Sequence, residues 1–88
     1  MTKVHITLKN KKGDTLISAV GLIDLETKDM LVPKVSKKGT PYIDIIKCED
    51  VRKTEYGYIV INVDVSNDDR VYVNTYYLTD LTKTKESK

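Results

Sequence analysis

Hydrophobic and polar residues alternate along much of this chain, which is the pattern of half-buried β-strands. Every second residue is aliphatic over 4–8, and the period of two returns over 59–65 and 71–77. Residues 15–25 are apolar at most positions, which predicts a central or strongly bent strand with Gly21 as its bend or bulge. The chain has one alanine and many Val, Ile and Thr residues, so its composition also favours strands over helices.

Two further strands are predicted in the middle of the chain. Residues 30–35 form a strand that we place at a sheet edge, because Pro33 has no N–H to donate to a neighbouring strand. Residues 42–48 form another, with a helix beginning after Thr40 as the alternative, because threonine is a common N-cap. The crowding of β-branched side chains favours the strand. One short helical turn near 49–55 is compatible with either assignment.

Short turns separate these strands. The turn signals are clusters of small, polar and charged residues at 10–14, 26–29, 36–41 and 66–70. Six short strands joined by such turns predict an all-β fold, namely a small antiparallel barrel or sandwich. We predict a single β domain over residues 1–79, followed by a flexible, lysine-rich tail over 80–88.

The need to bury branched residues predicts a pairing register. If Val65 lies opposite Val71 and Val63 opposite Val73, the aliphatic residues of the last two strands share the core side. A hairpin between strand 42–48 and the strand after it extends this arrangement. The solvent side is then a Tyr/Asp/Asn face that consists of Tyr42, Asp44, Val60, Asn62, Asp64, Tyr72, Asn74 and Tyr76.

Charge is divided along the chain. Residues 1–38 carry eight Lys or Arg and four Asp or Glu, whereas residues 39–80 carry four and eight. The formal net charge of +2 therefore combines a basic first part and an acidic second part. All six tyrosines lie in the acidic part. A tyrosine has a large apolar ring with a polar tip, so tyrosines among carboxylates favour a surface that binds a basic macromolecule.

These patterns predict a non-enzymatic protein–protein interaction module in which tyrosines anchor a basic partner and carboxylates steer its approach. The predicted partner-binding residues are Tyr42, Asp44, Glu55, Tyr58, Asn62, Asp64, Asp68, Asp69, Tyr72 and Tyr76. Acids two residues apart on a strand are about 7 Å apart, close to the phosphate spacing of a duplex strand. In size and in its lack of catalytic groups the chain resembles small phage-encoded DNA-mimic inhibitors. That resemblance implies a basic, DNA-binding host protein as the partner that is blocked.

Two alternatives use other features of the chain. A small β-barrel can bind nucleic acid through a basic groove, and the predicted contacts would be Lys9, Lys11, Lys12, Lys37 and Lys38. Against this, the tyrosines that would stack on bases lie in the acidic part of the sequence. A homodimer in which Val60, Tyr76 and Leu78 cover one another is a different use of the Tyr/Asp/Asn face.

Candidate catalytic and metal-binding residues are few. His5 and Cys48 are the chain's only histidine and cysteine, and no acid near His5 in sequence would orient its ring. Glu49 and Asp50 follow Cys48, and their negative charges would raise the pKa of its thiol. Because the thiolate is the reactive form, Cys48 would be a poor nucleophile. Glycine-rich phosphate-binding motifs are absent from the sequence, and residues 64–75 lack the central glycine and final glutamate of a calcium loop. We therefore predict no enzyme activity, no cofactor and no metal, with an enzyme accessory domain or hydrolase as the third hypothesis.

Composition also bears on origin and compartment. Lys, Ile, Asn, Phe and Tyr, which have AT-rich codons, total 31 residues, whereas Gly, Ala, Arg and Pro total nine. This bias favours a low-GC bacterium or one of its phages. The alternating first ten residues do not form a signal peptide, and a single cysteine allows no intrachain disulfide. The sequence therefore predicts a cytoplasmic protein, in the host cytoplasm if a phage encodes it.

Overall fold

The structure is a computed structural model that describes residues 1–65 and 70–82, and those residues contain seven strands and no helix. The strands are β1 (Thr2–Lys9), β2 (Thr15–Asp24), β3 (Asp29–Val35), β4 (Pro41–Lys47), β5 (Asp50–Lys53), β6 (Gly57–Val65) and β7 (Val71–Asp80). The predicted all-β class is confirmed, and residues 42–47 belong to a strand as expected. The predicted helical turn near 49–55 is wrong, because residues 50–53 pair with β6 as a strand.

All seven strands form one antiparallel sheet in the order β4-β3-β2-β1-β7-β6-β5. Strands that follow one another in sequence are neighbours in the sheet, except that β4 and β5 form its two opposite edges. Only Cys48 and Glu49 connect these two edges. Two residues span less than about 11 Å, so the sheet has to curl until its edges meet, and the result is a half-barrel.

Hydrogen bonds close the half-barrel at one end, which we call the closed end. The Glu49 N–H donates to the Ile61 carbonyl oxygen at 2.7 Å, which starts the pairing that β5 continues along β6. The Asn62 side-chain amide donates to the Lys47 carbonyl oxygen at 2.9 Å. These contacts hold the last residue of β4 against β6, so the two edges of the sheet meet here.

At the other end, the open end, three hairpins separate from one another. The β2–β3 ladder does not extend beyond the pair Leu22–Leu31, and the β1–β7 ladder ends at the pair Leu8–Tyr76. Within the described residues, β4 pairs with β3 alone. The hairpins β1–β2, β3–β4 and β6–β7 therefore project from a common base, and the chain is elongated, with dimensions of 49 × 30 × 30 Å.

The hydrophobic core fills the inner, concave face of the half-barrel toward the closed end. Because side chains alternate along a strand, every second residue of each strand points into it. The core residues are Val4, Ile6, Ile23, Met30, Val32, Ile46, Cys48, Tyr58, Val60, Tyr76 and Leu78. Toward the open end the inner positions become polar or charged, and these are Lys34, Tyr42, Asp44, Asn62, Asp64, Tyr72 and Asn74.

The register predicted for the last two strands is confirmed, but the side predicted to face solvent is wrong. Val65 lies opposite Val71 and Val63 opposite Val73, as expected. The Tyr/Asp/Asn face does share one side of the sheet, but that side is the inner one, and the valines lie on the outer side with Val63 38% exposed. The first half of β6 is apolar at both parities, so alternation alone did not decide which side would be covered.

Three other expectations are wrong for related reasons. β4 pairs with β3 and not with β6, whose two neighbours in the sheet are β7 and β5. β3 lies inside the sheet rather than at an edge, and Pro33 is tolerated there because the β2–β3 ladder has already ended at Leu31. Val60, Tyr76 and Leu78 are buried in the core of the single chain, so they are not free to cover a second copy.

Gly21 lies in the central strand β2, as the sequence predicted for residues 15–25. It is not the bulge, which falls where the register shifts between Leu8 and Lys9. A Cβ atom at position 21 would instead collide with the Leu31 carbonyl oxygen and approach Ile6 Cδ1 to 2.7 Å. The glycine thus allows β3 to pack closely on β2 at the point where their ladder ends.

Candidate binding mouth at the open end

The polar inner positions at the open end form a concave site that we call the mouth. It is lined by Tyr42 and Asp44 from β4, Asn62 and Asp64 from β6, and Tyr72 and Asn74 from β7. The β6–β7 register places Asn62 opposite Asn74 and Asp64 opposite Tyr72. Because β4 and β6 lie on the two sides of the gap, the mouth joins residues more than fifteen positions apart in sequence.

An ion pair fixes one wall of the mouth. Lys34 Nζ of β3 donates to Asp44 Oδ2 of β4 at 2.7 Å, and the two side chains are 32% and 40% exposed. The hydrogen bond to Asp44 raises the pKa of Lys34, against the opposing effect of partial burial. The pair neutralises one carboxylate, so Asp64 supplies the remaining negative charge among the described mouth residues.

Tyr76 forms the floor where the mouth meets the core. Its side chain is 4% exposed and lies opposite Val60. Burial raises the pKa of its phenol, and the charges of Lys34, Asp44 and Asp64 also act on it. The phenol is therefore neutral at physiological pH.

Two tyrosines at the mouth remain accessible. Tyr42 and Tyr72 are 47% and 48% exposed, and they come from the hairpins on either side of the gap. The Asn74 side-chain amide donates to Asn62 Oδ1 at 3.4 Å, which links β7 to β6 below Tyr72. Half-exposed phenols over a polar floor can stack on a ligand and donate hydrogen bonds to it.

The structure brings part of the predicted partner-binding set together and separates the rest. Five of the predicted residues line the mouth, namely Tyr42, Asp44, Asn62, Asp64 and Tyr72, and Tyr76 forms its floor. Tyr58 is buried in the core with Lys53 Nζ 5.5 Å from its ring centroid. Glu55 is exposed in the turn between β5 and β6 at the closed end. Asp68 and Asp69 lie outside the described residues.

The five lysines predicted for nucleic-acid binding cluster at the open end. Lys9 ends β1, and Lys11 and Lys12 follow in the turn before β2. Lys37 and Lys38 lie in the turn between β3 and β4. All five are exposed, and their two hairpins are adjacent in the sheet. The open end therefore combines basic turns on two hairpins with the carboxylate of Asp64 on the third.

His5 and Cys48 lie on opposite faces of the sheet. His5 Nε2 is 3.1 Å from Ser18 Oγ on the outer face, whereas Cys48 is buried in the core. Burial is the main reason that the pKa of the Cys48 thiol rises to about 11. No cluster of three or more His, Cys, Asp or Glu side chains within residues 1–65 and 70–82 is placed to hold a metal ion. In the same part of the chain, no helix is long and apolar enough to cross a membrane.

Sequence reasoning missed two features of the structure. Lys34 was not assigned to the Tyr/Asp/Asn face, although it shares the parity of Met30 and Val32 and therefore points inward with them. The second feature is the apolar outer face of β2, β3 and β4, where Ile43 and Ile45 are 56% and 66% exposed. Both follow from the pairing of β3 with β4, which the sequence did not predict.

Comparison of the chain with protein-family models, with curated proteins and with solved structures gave no match. The mouth is therefore defined by the geometry and chemistry of this chain's own residues.

Proposed function

We propose that this chain is a non-enzymatic protein–protein interaction module that binds a basic, extended polypeptide segment in the mouth. The observation that supports this most directly is the placement of Tyr42 on one side of the gap between two hairpins and of Tyr72 and Asp64 on the other, all on the inner face of the sheet. Tyrosines are frequent anchors of protein interfaces, because they bury a large ring at a low cost in side-chain entropy. The carboxylate gives the site a preference for positive charge.

An extended segment fits because strand edges flank the gap. In the described part of the chain, β4 has a strand partner on one side only, and the β5–β6 ladder stops at Ile61. The backbone groups of β4 and of the last residues of β6 can therefore pair with an incoming strand. Main-chain pairing would supply affinity, and the side chains of the mouth would select a basic sequence.

The test uses a fluorescent peptide of alternating lysine and valine, with a glutamate–valine peptide as the charge control. We expect the basic peptide alone to bind, with an affinity that falls as salt increases. Asp64→Lys and Tyr72→Ala should each weaken binding by about tenfold or more. Glu26→Lys and Tyr56→Ala are matched controls, because both residues are exposed at the closed end and should leave binding unchanged. Equal losses in the mouth variants and the controls would contradict the proposal.

The identity of the partner remains a prediction from the sequence. A DNA-binding host protein offers basic extended segments, and we propose it as the natural source of the ligand. The described acids of residues 39–80 are divided, with Asp44 and Asp64 at the mouth and Glu49, Asp50, Glu55 and Asp80 toward the closed end. The proposal therefore depends on a peptide-sized site in the mouth and does not need a continuous row of phosphate-like charges.

Nucleic-acid binding is the second candidate, and the fold gives it specific support. In sequence, the lysines and the tyrosines belong to different segments, which argued against a shared site. In the structure, the lysine-bearing turns of two hairpins lie at the same end as the exposed rings of Tyr42 and Tyr72. A basic rim beside accessible aromatic rings is the combination that binds single strands without sequence preference.

Paired charge reversals distinguish the two candidates. Changing Lys9, Lys11, Lys12 and Lys37 to Glu should abolish binding of a fluorescent oligothymidylate and leave the basic peptide bound. Changing Asp44 and Asp64 to Lys should have the opposite pattern. Titration at two salt concentrations checks the first result, because fewer phosphate contacts give a shallower salt dependence. Binding of neither ligand by the wild-type protein would exclude both candidates.

A further inference from the structure

Strands β1 and β7 separate at the open end and leave a cleft between them, which we call the fork cleft. Their ladder ends at the pair Leu8–Tyr76, where the register of β1 on β2 also shifts between Leu8 and Lys9. A bulge bends the strand that carries it, so the β1–β2 hairpin diverges from β7 at this point. The fork cleft lies between them, and its lining includes Lys9, Lys11, Leu16, Val73, Thr75 and Tyr77.

The fork cleft combines apolar and basic side chains. Its volume is about 520 Å³, and pockets for small ligands measure roughly 300–1,000 Å³. One wall is formed by the β1–β2 hairpin and carries Lys9, Lys11 and Leu16, of which Leu16 is 58% exposed. The other wall is β7, where the ring of Tyr77 is 52% exposed and lies beside Thr75. An accessible aromatic ring thus lies across the cleft from two lysines.

The walls of the fork cleft carry a positive net charge. Residues 9–14 contain three lysines and one acid, Asp14, and residues 71–77 contain no charged side chain. The Asp14 carboxylate accepts a hydrogen bond from the Asn10 side-chain amide at 3.3 Å, which holds it within its own turn. Asp64 of the mouth lies on the inner face of the sheet, opposite Tyr72. The described walls of the cleft therefore favour an anion.

The backbone of β7 adds hydrogen-bonding groups to the fork cleft. The Leu81 N–H donates to the Lys3 carbonyl oxygen of β1, whereas the Asp80 N–H donates to the Tyr56 carbonyl oxygen on the other side. Backbone groups alternate in direction along a strand, so those of the odd-numbered residues of β7 point toward β1. The β6–β7 register has no shift that would reverse this alternation. Val73 lies beyond the last pair of the β1–β7 ladder, so its N–H and C=O point into the cleft.

We propose that the fork cleft binds a nucleotide, with its base stacked on Tyr77 and its phosphate on Lys9 and Lys11. Stacking on an aromatic ring suits any base, and the ammonium group of lysine is a compact charge that binds phosphate. The N–H and C=O of Val73 can bond the donor and acceptor groups on the edge of the base. The fork cleft and the mouth share Asn74 alone among their lining residues, so this site does not depend on peptide binding in the mouth.

The first experiment is an NMR titration of isotope-labelled protein with thymidine monophosphate. Thymidine and inorganic phosphate are titrated separately as the two halves of the ligand. We expect saturable shifts of the amide signals of residues 9–16 and 73–77 below ~10 mM nucleotide, with each half binding more weakly. No saturation at ~10 mM, or shifts centred on the mouth, would overturn the inference. Phosphate that binds as tightly as the nucleotide would also overturn it, because the base would then contribute nothing.

The second experiment compares variants of the two walls in the same titration. Tyr77→Ala should raise the dissociation constant at least about fivefold, whereas Tyr77→Phe keeps the ring and should leave it unchanged. Lys11→Glu should raise it several-fold. Lys37→Glu and Tyr56→Ala are the matched controls, because Lys37 lies in the exposed β3–β4 turn and Tyr56 at the closed end. Circular dichroism establishes that each variant folds. Equal losses at Lys11 and Lys37 would overturn the inference, because general positive charge would then explain the binding.

Competition identifies the source of the nucleotide, which is either a free molecule or one unit of a single strand. A site for a strand should release thymidine monophosphate when oligothymidylate is added, and Tyr77→Ala should weaken both ligands. A site for a free nucleotide should retain thymidine monophosphate. The basic peptide should bind Tyr77→Ala as tightly as it binds the wild type, so failure at the fork cleft is distinguishable from failure at the mouth.

Discussion

Val60 lies directly opposite Tyr76 in the β6–β7 ladder, and both side chains point into the core, with Val60 fully buried and Tyr76 4% exposed. The odd-numbered residues of the same two strands, such as Val63, face outward. This one pair therefore determines which face of the terminal hairpin becomes interior. It also determines that the polar residues farther along the same parity line the mouth.

The first prediction tests this assignment of faces. Val60→Ala should lower the free energy of unfolding by about 2 kcal/mol, because it removes buried methyl groups and leaves a cavity. Val63→Ala should change it by less than about 0.5 kcal/mol, because that side chain is already 38% exposed. Urea denaturation of the two variants measures both values. A larger effect at Val63 than at Val60 would show that the faces are reversed.

The second prediction concerns close packing at Gly21. Gly21→Ala should lower the free energy of unfolding by several kcal/mol, because the new Cβ would collide with backbone of β3. Gly13 offers a contrast, since its φ of 91° is unfavourable for alanine but nothing lies within 4 Å of the new atom. Gly13→Ala should therefore cost only about 1 kcal/mol. Similar melting temperatures for the two variants would contradict the packing that we describe.

The third prediction concerns Cys48. Its folded-state thiol has a pKa of about 11, above the ordinary value of 9.0, so folding favours the protonated form. The resulting stabilisation is fully present below pH 9 and is lost as pH rises toward 11. Stability should fall more steeply over this range in wild type than in Cys48→Ala. The loss from Lys34, whose pKa is also raised, is common to both proteins and cancels in the comparison.

The same thiol should react slowly with maleimides or disulfide reagents at neutral pH while the protein is folded. The side chain is 2% exposed and protonated, and the thiolate is the reactive form. Urea should restore the rate of an ordinary cysteine. Rapid labelling without denaturant would show that Cys48 is not buried in the core.

The fourth prediction compares two ion pairs by double-mutant cycles. Lys34 and Asp44 are 2.7 Å apart and partly buried, and we expect a coupling energy of up to about 1 kcal/mol after solvent screening. Asp50 and Arg52 are 3.1 Å apart but more exposed, so their coupling should be close to zero. High salt should reduce the first coupling. Equal couplings would show that the wall of the mouth is no more ordered than the surface of β5.

Particular residues show how much of the fold could be predicted. The period of two in 59–65 and 71–77 was enough to predict the strands and the pairing of Val65 with Val71, because a one-residue slip would exchange all the side chains between faces. The stretch at 15–25, which is apolar at most positions on both faces, predicted the central position of β2. The short strand β5 was not predicted, because its four residues show no clear alternation.

The mouth was only partly predictable. Tyr42, Asp64 and Tyr72 were expected to share a face, and they do, since parity is a local property of each strand. Their placement on the two sides of one gap, with the lysine-bearing turns at the same end of the molecule, depends on how the sheet curls. Curling brings together residues from distant parts of the chain and leaves no local trace in sequence.

By itself, the sequence determined the strand class, the central strand and the register of the terminal hairpin, because each depends on the alternation of side chains over a few residues. The tertiary structure alone decided which face is interior, which strands are edges and which charges share the open end. The physical reason is that the first half of β6 is apolar at both parities, so either face could have been buried locally. In the half-barrel, the hydrogen bond from Glu49 to Ile61 of β6 closes the sheet, and Val60 and Tyr76 lie inside it.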